Sequence, residues 1–216
     1  MVSSDLERVE RTYRRLGRRW VWNVLSFAGF QGWEPIIRRR AVTCLELQPG
    51  NTVLDVACGR GSNFPYLQRA IGKEGTIVGV DYSPTMLAGA GELVRKKRWT
   101  NVELVRSDAA EMDYSAEFDG AICTIALSVI PRWRETLRRM VAALRPGKRI
   151  VVLDGRLGVG LMRIGIPYAR LFAHIAAADL SRDIPAECRR LLIDVREETL
   201  FFGTYFIVSG EGGHHV

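Results

Sequence analysis

The spacing of hydrophobic positions changes near residue 50, and the change divides the chain into two kinds of predicted structure. In residues 5–27, apolar side chains recur at intervals of three and four: Leu6, Val9, Tyr13, Leu16, Trp20, Val24 and Phe27. This period predicts an amphipathic helix, and arginines follow the same period on the opposite face. A second helix is predicted over residues 35–46. Together the two helices form an N-terminal helical cap, residues 1–46.

After the turn at residues 48–51, short apolar runs alternate with helical patterns, which predicts βαβ units around a parallel sheet. The predicted strands are Thr52–Ala57, Thr76–Asp81, Val102–Arg106, Phe118–Thr124, Arg149–Asp154, Leu191–Thr199 and Phe201–Ser209. The predicted helices cover about 62–71, 83–98, 132–144 and 157–190. The last two strands have only a tight connection between them, so they must be antiparallel.

The expected fold is therefore a single α/β domain over residues 1–216. It is Rossmann-like and doubly wound, with a mostly parallel seven-stranded sheet whose last strand is antiparallel. Residues 50–155 form the core, and residues 156–216 add a helical insertion and the closing strands.

Charge is concentrated at the N-terminal end of the chain. The 216 residues carry a net charge of +7, and residues 1–40 hold nine arginines against four acids. This balance favours an anionic partner: a membrane surface, a nucleic acid or an acidic substrate. No secretory signal and no apolar run long enough to span a bilayer are visible, which predicts a cytoplasmic protein. The four cysteines lack metal-ligand spacing, so we interpret them as reduced thiols.

The strongest candidate for chemistry is a strand that ends in a glycine turn and leads into a helix. The segment Val53-Leu-Asp-Val-Ala-Cys-Gly-Arg-Gly61 lets a ligand approach the backbone closely. Asp81 ends the next strand, where a carboxylate can accept hydrogen bonds from ribose hydroxyls. A dinucleotide would require a third glycine where Phe64 stands, so the pattern favours another adenosine-type ligand over NAD.

These segments resemble the motifs of class I methyltransferases that use S-adenosylmethionine (SAM). Leu54–Gly61 resembles their first motif, and residues 80–87 (Val-Asp-Tyr-Ser-Pro-Thr-Met-Leu) resemble their ribose-binding motif. Ser107-Asp-Ala109 resembles the adenine-edge motif. Phe118-Asp119 and Leu144-Arg-Pro-Gly147 resemble the motifs at the fourth and fifth strands. The resemblance implies the class I methyltransferase fold, SAM as cofactor and S-adenosylhomocysteine (SAH) as product.

The resemblance also implies a role for individual residues. Asp55, Ala57, Gly59 and Gly61 would line the methionine end of SAM, and Asp81 would hold the ribose. Tyr82 and Met86 would flank the adenine. Asp108 would accept from the adenine amino group and Ala109 would donate through its backbone. Thr124, at the end of the fourth strand, is counted with the cofactor-binding residues. No metal is expected, because methyl transfer from a sulfonium needs mainly alignment of the reacting atoms.

The methyl acceptor is predicted from a second, shorter resemblance. Residues 126–133 (Ala-Leu-Ser-Val-Ile-Pro-Arg-Trp) resemble a segment of bacterial phospholipid and betaine-lipid N-methyltransferases. Tyr13 matches the start of their N-terminal Tyr-x6-Tyr-Asp element, but Trp20 and Val21 replace its end. We therefore expect N-methylation of an amine lipid head group, with Tyr13 as the catalytic candidate and Asp154 as another proton acceptor. The basic, aromatic segment 6–33 adds an expected peripheral contact with an anionic membrane, on the inner face. A helix that packs on its own domain with a solvated basic face would show the same pattern.

Other functions stay open. A quinone-ring C-methyltransferase or a small-molecule methyltransferase is the main alternative, although the Asp-x-Met-Ser element expected of the quinone enzymes is absent. A nucleic-acid partner is not expected, because residues 124–127 (Thr-Ile-Ala-Leu) lack the Pro-Pro motif of amino-methylating DNA enzymes. A SAM-binding protein without activity is the remaining alternative. The sequence carries no signal for an oligomeric state.

Overall fold

The fold is described from a computed structural model of the chain. The structure describes residues 34–156 and 178–213, apart from the side chain of Phe202, together with Glu7, Glu10 and Arg11. The rest of the predicted helix 5–27, the catalytic candidate Tyr13 and most of the predicted helix 157–190 lie outside these residues.

Seven strands and five helices make up the described part of the chain. The strands are β1 Thr52–Val56, β2 Thr76–Asp81, β3 Val102–Arg106, β4 Phe118–Thr124, β5 Leu144–Gly155, β6 Leu192–Leu200 and β7 Tyr205–Gly212. The helices are α1 Glu34–Thr43, α2 Phe64–Ile71, α3 Pro84–Lys97, α4 Trp133–Ala143 and α5 Ile184–Leu191. Single 3-10 turns lie at Ala109–Glu111 and Phe201–Gly203.

All seven strands form one sheet in the order β3-β2-β1-β4-β5-β7-β6. Strands β1 to β5 are parallel, and β7 runs antiparallel to both β5 and β6. This confirms the predicted fold class. The strand order reverses between β1 and β4, and the carboxyl ends of these strands open the crevice where α/β sheets bind ligands.

Alternate residues of the central strands bury themselves on opposite faces of the sheet. In β1, Val53 packs with the residues of α1, α2 and α3, whereas Leu54 packs with those of α4 and α5. In β4, Ile122 and Ala121 divide between the two faces in the same way. The sheet is therefore covered on both sides, which fixes its strands and leaves the carboxyl edge to carry function.

The boundaries of several elements differ from the sequence predictions. Strand β5 begins at Leu144, five residues before the predicted Arg149, because Leu144 pairs with Phe118 across a shift in register. The last strand begins at Tyr205, because Phe201–Gly203 forms a 3-10 turn. Residues 178–183 are not helical; the helix begins only after Asp183, whose side chain accepts from the backbone N–H of Ala186.

In the described part of the chain, no helix is long and apolar enough to cross a membrane. The four cysteines are free thiols; three are buried and Cys44 is half-buried.

Candidate active site

The glycine turn after β1 places three consecutive odd-numbered positions in the left-handed region. Ala57, Gly59 and Gly61 have φ of 53°, 58° and 80°. A Cβ at Gly61 would lie 2.5 Å from the ring of Phe64, whereas one at Gly59 would meet nothing within 4 Å. Gly61 is therefore required by packing, and Gly59 leaves backbone open to a ligand. Ala57 holds a conformation that costs a residue with a Cβ roughly 1–2 kcal/mol.

Asp81, at the end of β2, holds this turn in place. Its Oδ2 accepts from the backbone N–H of Gly59 at 2.8 Å, and its Oδ1 accepts from the backbone N–H of Ser83 at 2.8 Å. Burial raises the pKa of the Asp81 carboxyl, while these two backbone hydrogen bonds lower it. Each carboxylate oxygen can accept more than one hydrogen bond, so the two oxygens of Asp81 can still accept hydrogen bonds from ribose hydroxyls.

A buried polar network lies beside the turn. Asn63 Nδ2 donates to Asp55 Oδ1 at 2.9 Å and to Thr124 Oγ1 at 3.0 Å. The guanidinium of Arg38, from α1, donates through Nη1 to Asn63 Oδ1 at 2.9 Å and to Thr124 Oγ1. Arg38 also donates through Nε to Glu34 at 2.7 Å. The network brings α1, β1, α2 and β4 together at the carboxyl edge.

Asp55 is the most perturbed group in this network. Its surface is 0% exposed, and its Oδ2 has no hydrogen-bond partner among the described residues. Burial raises the pKa of Asp55 to about 7, against the lowering effects of the Asn63 hydrogen bond and the Arg38 charge. A buried acceptor without a donor is costly, and a cationic ligand would relieve that cost.

The predicted adenine residues lie along the ends of β2 and β3. Met86 and Ala109 are buried, and Tyr82 is half-buried. Asp108 Oδ1 accepts from the backbone N–H of Ala110 at 2.9 Å, and its Oδ2 accepts from Arg132 Nη2 at 3.1 Å. The acceptor expected for the adenine amino group is therefore already bonded to Arg132, and the amino group would have to share it.

The segment after β4 closes the other side of the crevice. Ile125 has φ of 56°, which is rare for a β-branched residue and marks a constrained backbone. Asp154, at the end of β5, accepts from the backbone N–H of Ser128 at 2.9 Å and from its hydroxyl at 2.8 Å. Arg182 Nη1 donates to the carbonyl oxygens of Leu127 and Ile130. Asp154 and Arg182 thus fix the segment that the acceptor would face.

The structure brings the predicted site residues together at one edge of the sheet. They are Asp55, Ala57, Gly59, Gly61, Asp81, Tyr82, Met86, Asp108, Ala109 and Thr124. Tyr13 lies outside the described residues, so its catalytic assignment stays a prediction. Sequence reasoning missed Arg38, Asn63, Arg132 and Arg182. None of the four carried a local signal for the site: an asparagine just before a Pro-containing helix start predicts a helix cap, and Asn63 makes no such capping bond.

Part of the chain that carries this site matches a known protein family. Residues 53–147 match the model of a family described as a methyltransferase domain. We refer to this matched segment as the methyltransferase domain. It spans β1 to the start of β5, and so contains the glycine turn, Asp81, Asp108 and Thr124, whereas Arg38 and Arg182 lie outside it.

Curated relatives of the methyltransferase domain include demethylmenaquinone methyltransferases. The protein of that name from Shouchella clausii is 30% identical over 157 residues, which cover 71% of this chain. The one from Bacillus mycoides is 29% identical over the same length. The match spans 65% of the length of each of these relatives.

Solved structures support the same fold at lower identity. A SAM-dependent methyltransferase from Aquifex aeolicus is 18% identical, with a TM-score of 0.59 over 82% of this chain and 90% of its own. A phosphoethanolamine N-methyltransferase from Haemonchus contortus, in complex with SAH, is 16% identical, with a TM-score of 0.67 over 81% of this chain and 52% of its own. At these identities the likeness concerns the fold.

The described residues fit SAM, the cofactor of this class of domain. The open backbone at Gly59 gives a close approach, and Asp81 retains acceptor capacity for ribose hydroxyls. The orphaned Oδ2 of Asp55 suits a ligand that carries an ammonium group. Each of these features lies at the carboxyl ends of β1 and β2.

Proposed function

We propose that the whole chain is a SAM-dependent methyltransferase whose acceptor is a hydroxylated aromatic ring of the quinol type. The observation that carries the proposal is the 30% identity to a demethylmenaquinone methyltransferase over 157 residues. In the reaction, the bond from methyl carbon to sulfur breaks and a bond to a ring carbon forms. The sulfonium becomes the thioether of SAH, and the ring loses one proton.

The chain's own residues supply alignment and electrostatics. SAM, when bound, supplies an electrophilic methyl group. The glycine turn and Asp81 hold the cofactor at the ends of β1 and β2, and the segment fixed by Asp154 and Arg182 faces it from the end of β4. A rigid crevice of this kind accelerates transfer by holding the reacting atoms in line.

Amine-lipid N-methylation, the acceptor first expected from the sequence, is the second candidate. The resemblance of residues 126–133 favours it. In the structure, however, Leu127 and Val129 are buried, and Ser128 is bonded to Asp154, so local packing also accounts for this segment. The phosphoethanolamine N-methyltransferase neighbour is only 16% identical, which supports the shared fold but not a shared acceptor. The quinol acceptor therefore has the stronger support.

The acceptor can be identified with SAM that carries a deuterated methyl group. The protein is incubated with a reduced demethylated naphthoquinol, with its oxidised quinone, and with phosphatidylethanolamine vesicles, and products are analysed by mass spectrometry. We expect label only in the quinol, because the oxidised ring is too electron-poor to attack. Label in the lipid amine, or none in the quinol while SAH still binds, would reject the quinol acceptor.

Contact with an anionic membrane stays a proposal that rests on the sequence of residues 6–33. Six arginines lie among apolar residues up to Arg19, tryptophans follow from Trp20, and each basic residue near an anionic surface contributes about 1 kcal/mol at most. Co-sedimentation with vesicles should increase with anionic lipid content and decrease with salt. Binding that ignores both variables would contradict the proposal.

A further inference from the structure

Arg38 contacts residues of the methyltransferase domain although it lies before the matched segment in the sequence. The residue belongs to α1, which precedes the matched segment 53–147, yet its guanidinium bonds to Asn63 and Thr124 inside the crevice. Its side chain is only 11% exposed. Arginines on a solvated helix face normally keep the guanidinium in water. Because the Arg38 guanidinium is buried against neutral polar groups and one glutamate, we interpret it as part of the site.

Asn63 gives a second sign that the network serves a ligand. It occupies the N-cap position of α2, where an asparagine side chain normally accepts from the helix N–H groups. Here it makes no such bond and turns instead to Asp55, Thr124 and Arg38. Helix α2 therefore lacks a side-chain cap, and Asn63 instead links the Asp55 carboxylate to the Arg38 guanidinium in one line of hydrogen bonds.

Both ends of this line have unused bonding capacity. Among the described residues, Asp55 Oδ2 is buried without a partner, and Arg38 donates through Nε and Nη1 only, which leaves Nη2 to donate elsewhere. A carboxylate and a guanidinium separated by one asparagine match the two charged groups of an α-amino acid. The methionine end of SAM is such a group, with an ammonium and a carboxylate on one carbon.

We infer that Arg38 binds the carboxylate of the methionine moiety of SAM, opposite Asp55 on the ammonium side. This deepens the proposed function and rests on it. A guanidinium donates to a carboxylate in a charge-assisted, often bidentate arrangement, which is among the stronger polar contacts in proteins. Helix α1 therefore supplies a cofactor ligand that the family's motifs do not contain, and its position decides how tightly SAM is held.

The test compares SAM with decarboxylated SAM, which keeps the ammonium, the sulfonium and the adenosine. Calorimetry on the full chain should show that the wild type binds SAM about 10- to 100-fold more tightly than the decarboxylated analogue. Arg38→Gln should weaken the binding of SAM by about that factor and leave the affinity for the analogue unchanged. The ratio of the two affinities should therefore fall towards one. Arg38→Lys keeps the charge without the planar fork and should lower the preference part of the way. Arg39→Gln, an exposed neighbour on the same helix, should keep it.

A purely structural role for Arg38 gives a different result. In that case Arg38→Gln weakens both ligands equally, or neither, and the assignment is overturned. An unchanged preference in the folded Arg38→Lys variant also overturns it if Arg38→Gln does not fold. Asp55→Asn provides the complementary control, because it should weaken both ligands alike. If the wild type binds neither SAM nor SAH, the proposed function itself fails, and this outcome is distinct from the others.

Discussion

The Asp81 carboxylate and the backbone of Gly59 are joined by a hydrogen bond, with 2.8 Å between Oδ2 and the nitrogen. The residue expected to hold the ribose therefore also holds the glycine turn on which the methionine end of SAM would lie. This side chain joins the glycine turn after β1 to the end of β2, so a change at Asp81 affects both halves of the cofactor site.

Replacement of Asp81 should weaken cofactor binding. Asp81→Ala removes the ribose acceptor and the brace on Gly59, and we expect a loss of at least about 1–3 kcal/mol in SAH binding free energy. Titration calorimetry measures the change. Asp113→Ala is the matched control, because the Asp113 side chain is fully exposed and its nearest cationic atom is 3.9 Å away. Unchanged SAH affinity in Asp81→Ala would remove this residue from the cofactor site.

The buried Asp55 should make folding stability depend on pH. Its pKa is about 7 in the folded protein and 3.8 in the reference state, so the folded state holds the proton more tightly. Stability from this group is fully present below about pH 4 and is lost as the pH rises through about 7, by roughly 4 kcal/mol at the upper limit.

Asp55→Asn isolates this contribution from those of other acids. The variant has no proton to lose, so its free energy of unfolding, measured with urea at pH 5 and pH 8, should exceed that of the wild type more at pH 8. SAH affinity should show the opposite preference: in the wild type it should rise between pH 6 and pH 8 as Asp55 ionises, and in the variant it should be weaker and flatter. Parallel pH profiles for the two proteins would contradict the shifted pKa.

Arg182 should act on the acceptor side of the site. It donates to the carbonyl oxygens of Leu127 and Ile130, and Arg182→Ala would leave both without this partner. We expect a loss of about 1–3 kcal/mol in stability and a larger effect on the KM of the acceptor than on the Kd of SAH.

The matched control for Arg182 is Arg138→Ala. Arg138 pairs with Glu135 on an exposed face of α4, and such pairs contribute about 0.3–0.5 kcal/mol. If Arg182→Ala weakened SAH binding as strongly as acceptor binding, the residue would support the whole crevice and not the acceptor segment.

Replacement of Ala57 by glycine should cost less stability than the same replacement of an ordinary helical alanine. Relief of its left-handed conformation, φ of 53°, offsets the greater flexibility of glycine in the unfolded chain, so Ala57→Gly should be nearly neutral. Ala88→Gly, at an exposed position within α3, should cost about 0.5–1 kcal/mol. Thermal or urea unfolding compares the two, and equal losses would show that Ala57 carries no strain.

Local sequence determined most of the sheet and the shared part of the site. The bounds of β2, β3 and β4 are those predicted, because each strand is a short apolar run that ends at polar or turn residues. The glycine turn and Asp81 were found because the chemistry of each is tied to the end of a strand, and parallel strands bring their carboxyl ends to one edge. For these residues, the position at the end of a strand is enough to predict where in the fold they lie. Asp108 was found through its resemblance to the adenine-edge motif.

Only the tertiary structure decided which distant residues meet at that edge. Arg38 lies 25 residues from Asn63 and 86 from Thr124, and Arg182 lies 55 from Leu127. Their side chains were indistinguishable in the sequence from the other arginines of a basic protein. Such contacts depend on how α1 and the segment before α5 pack across the sheet, and this packing is set by buried area summed over many residues. The sequence therefore predicted where a cofactor would lie, and the packing decided which charges surround it.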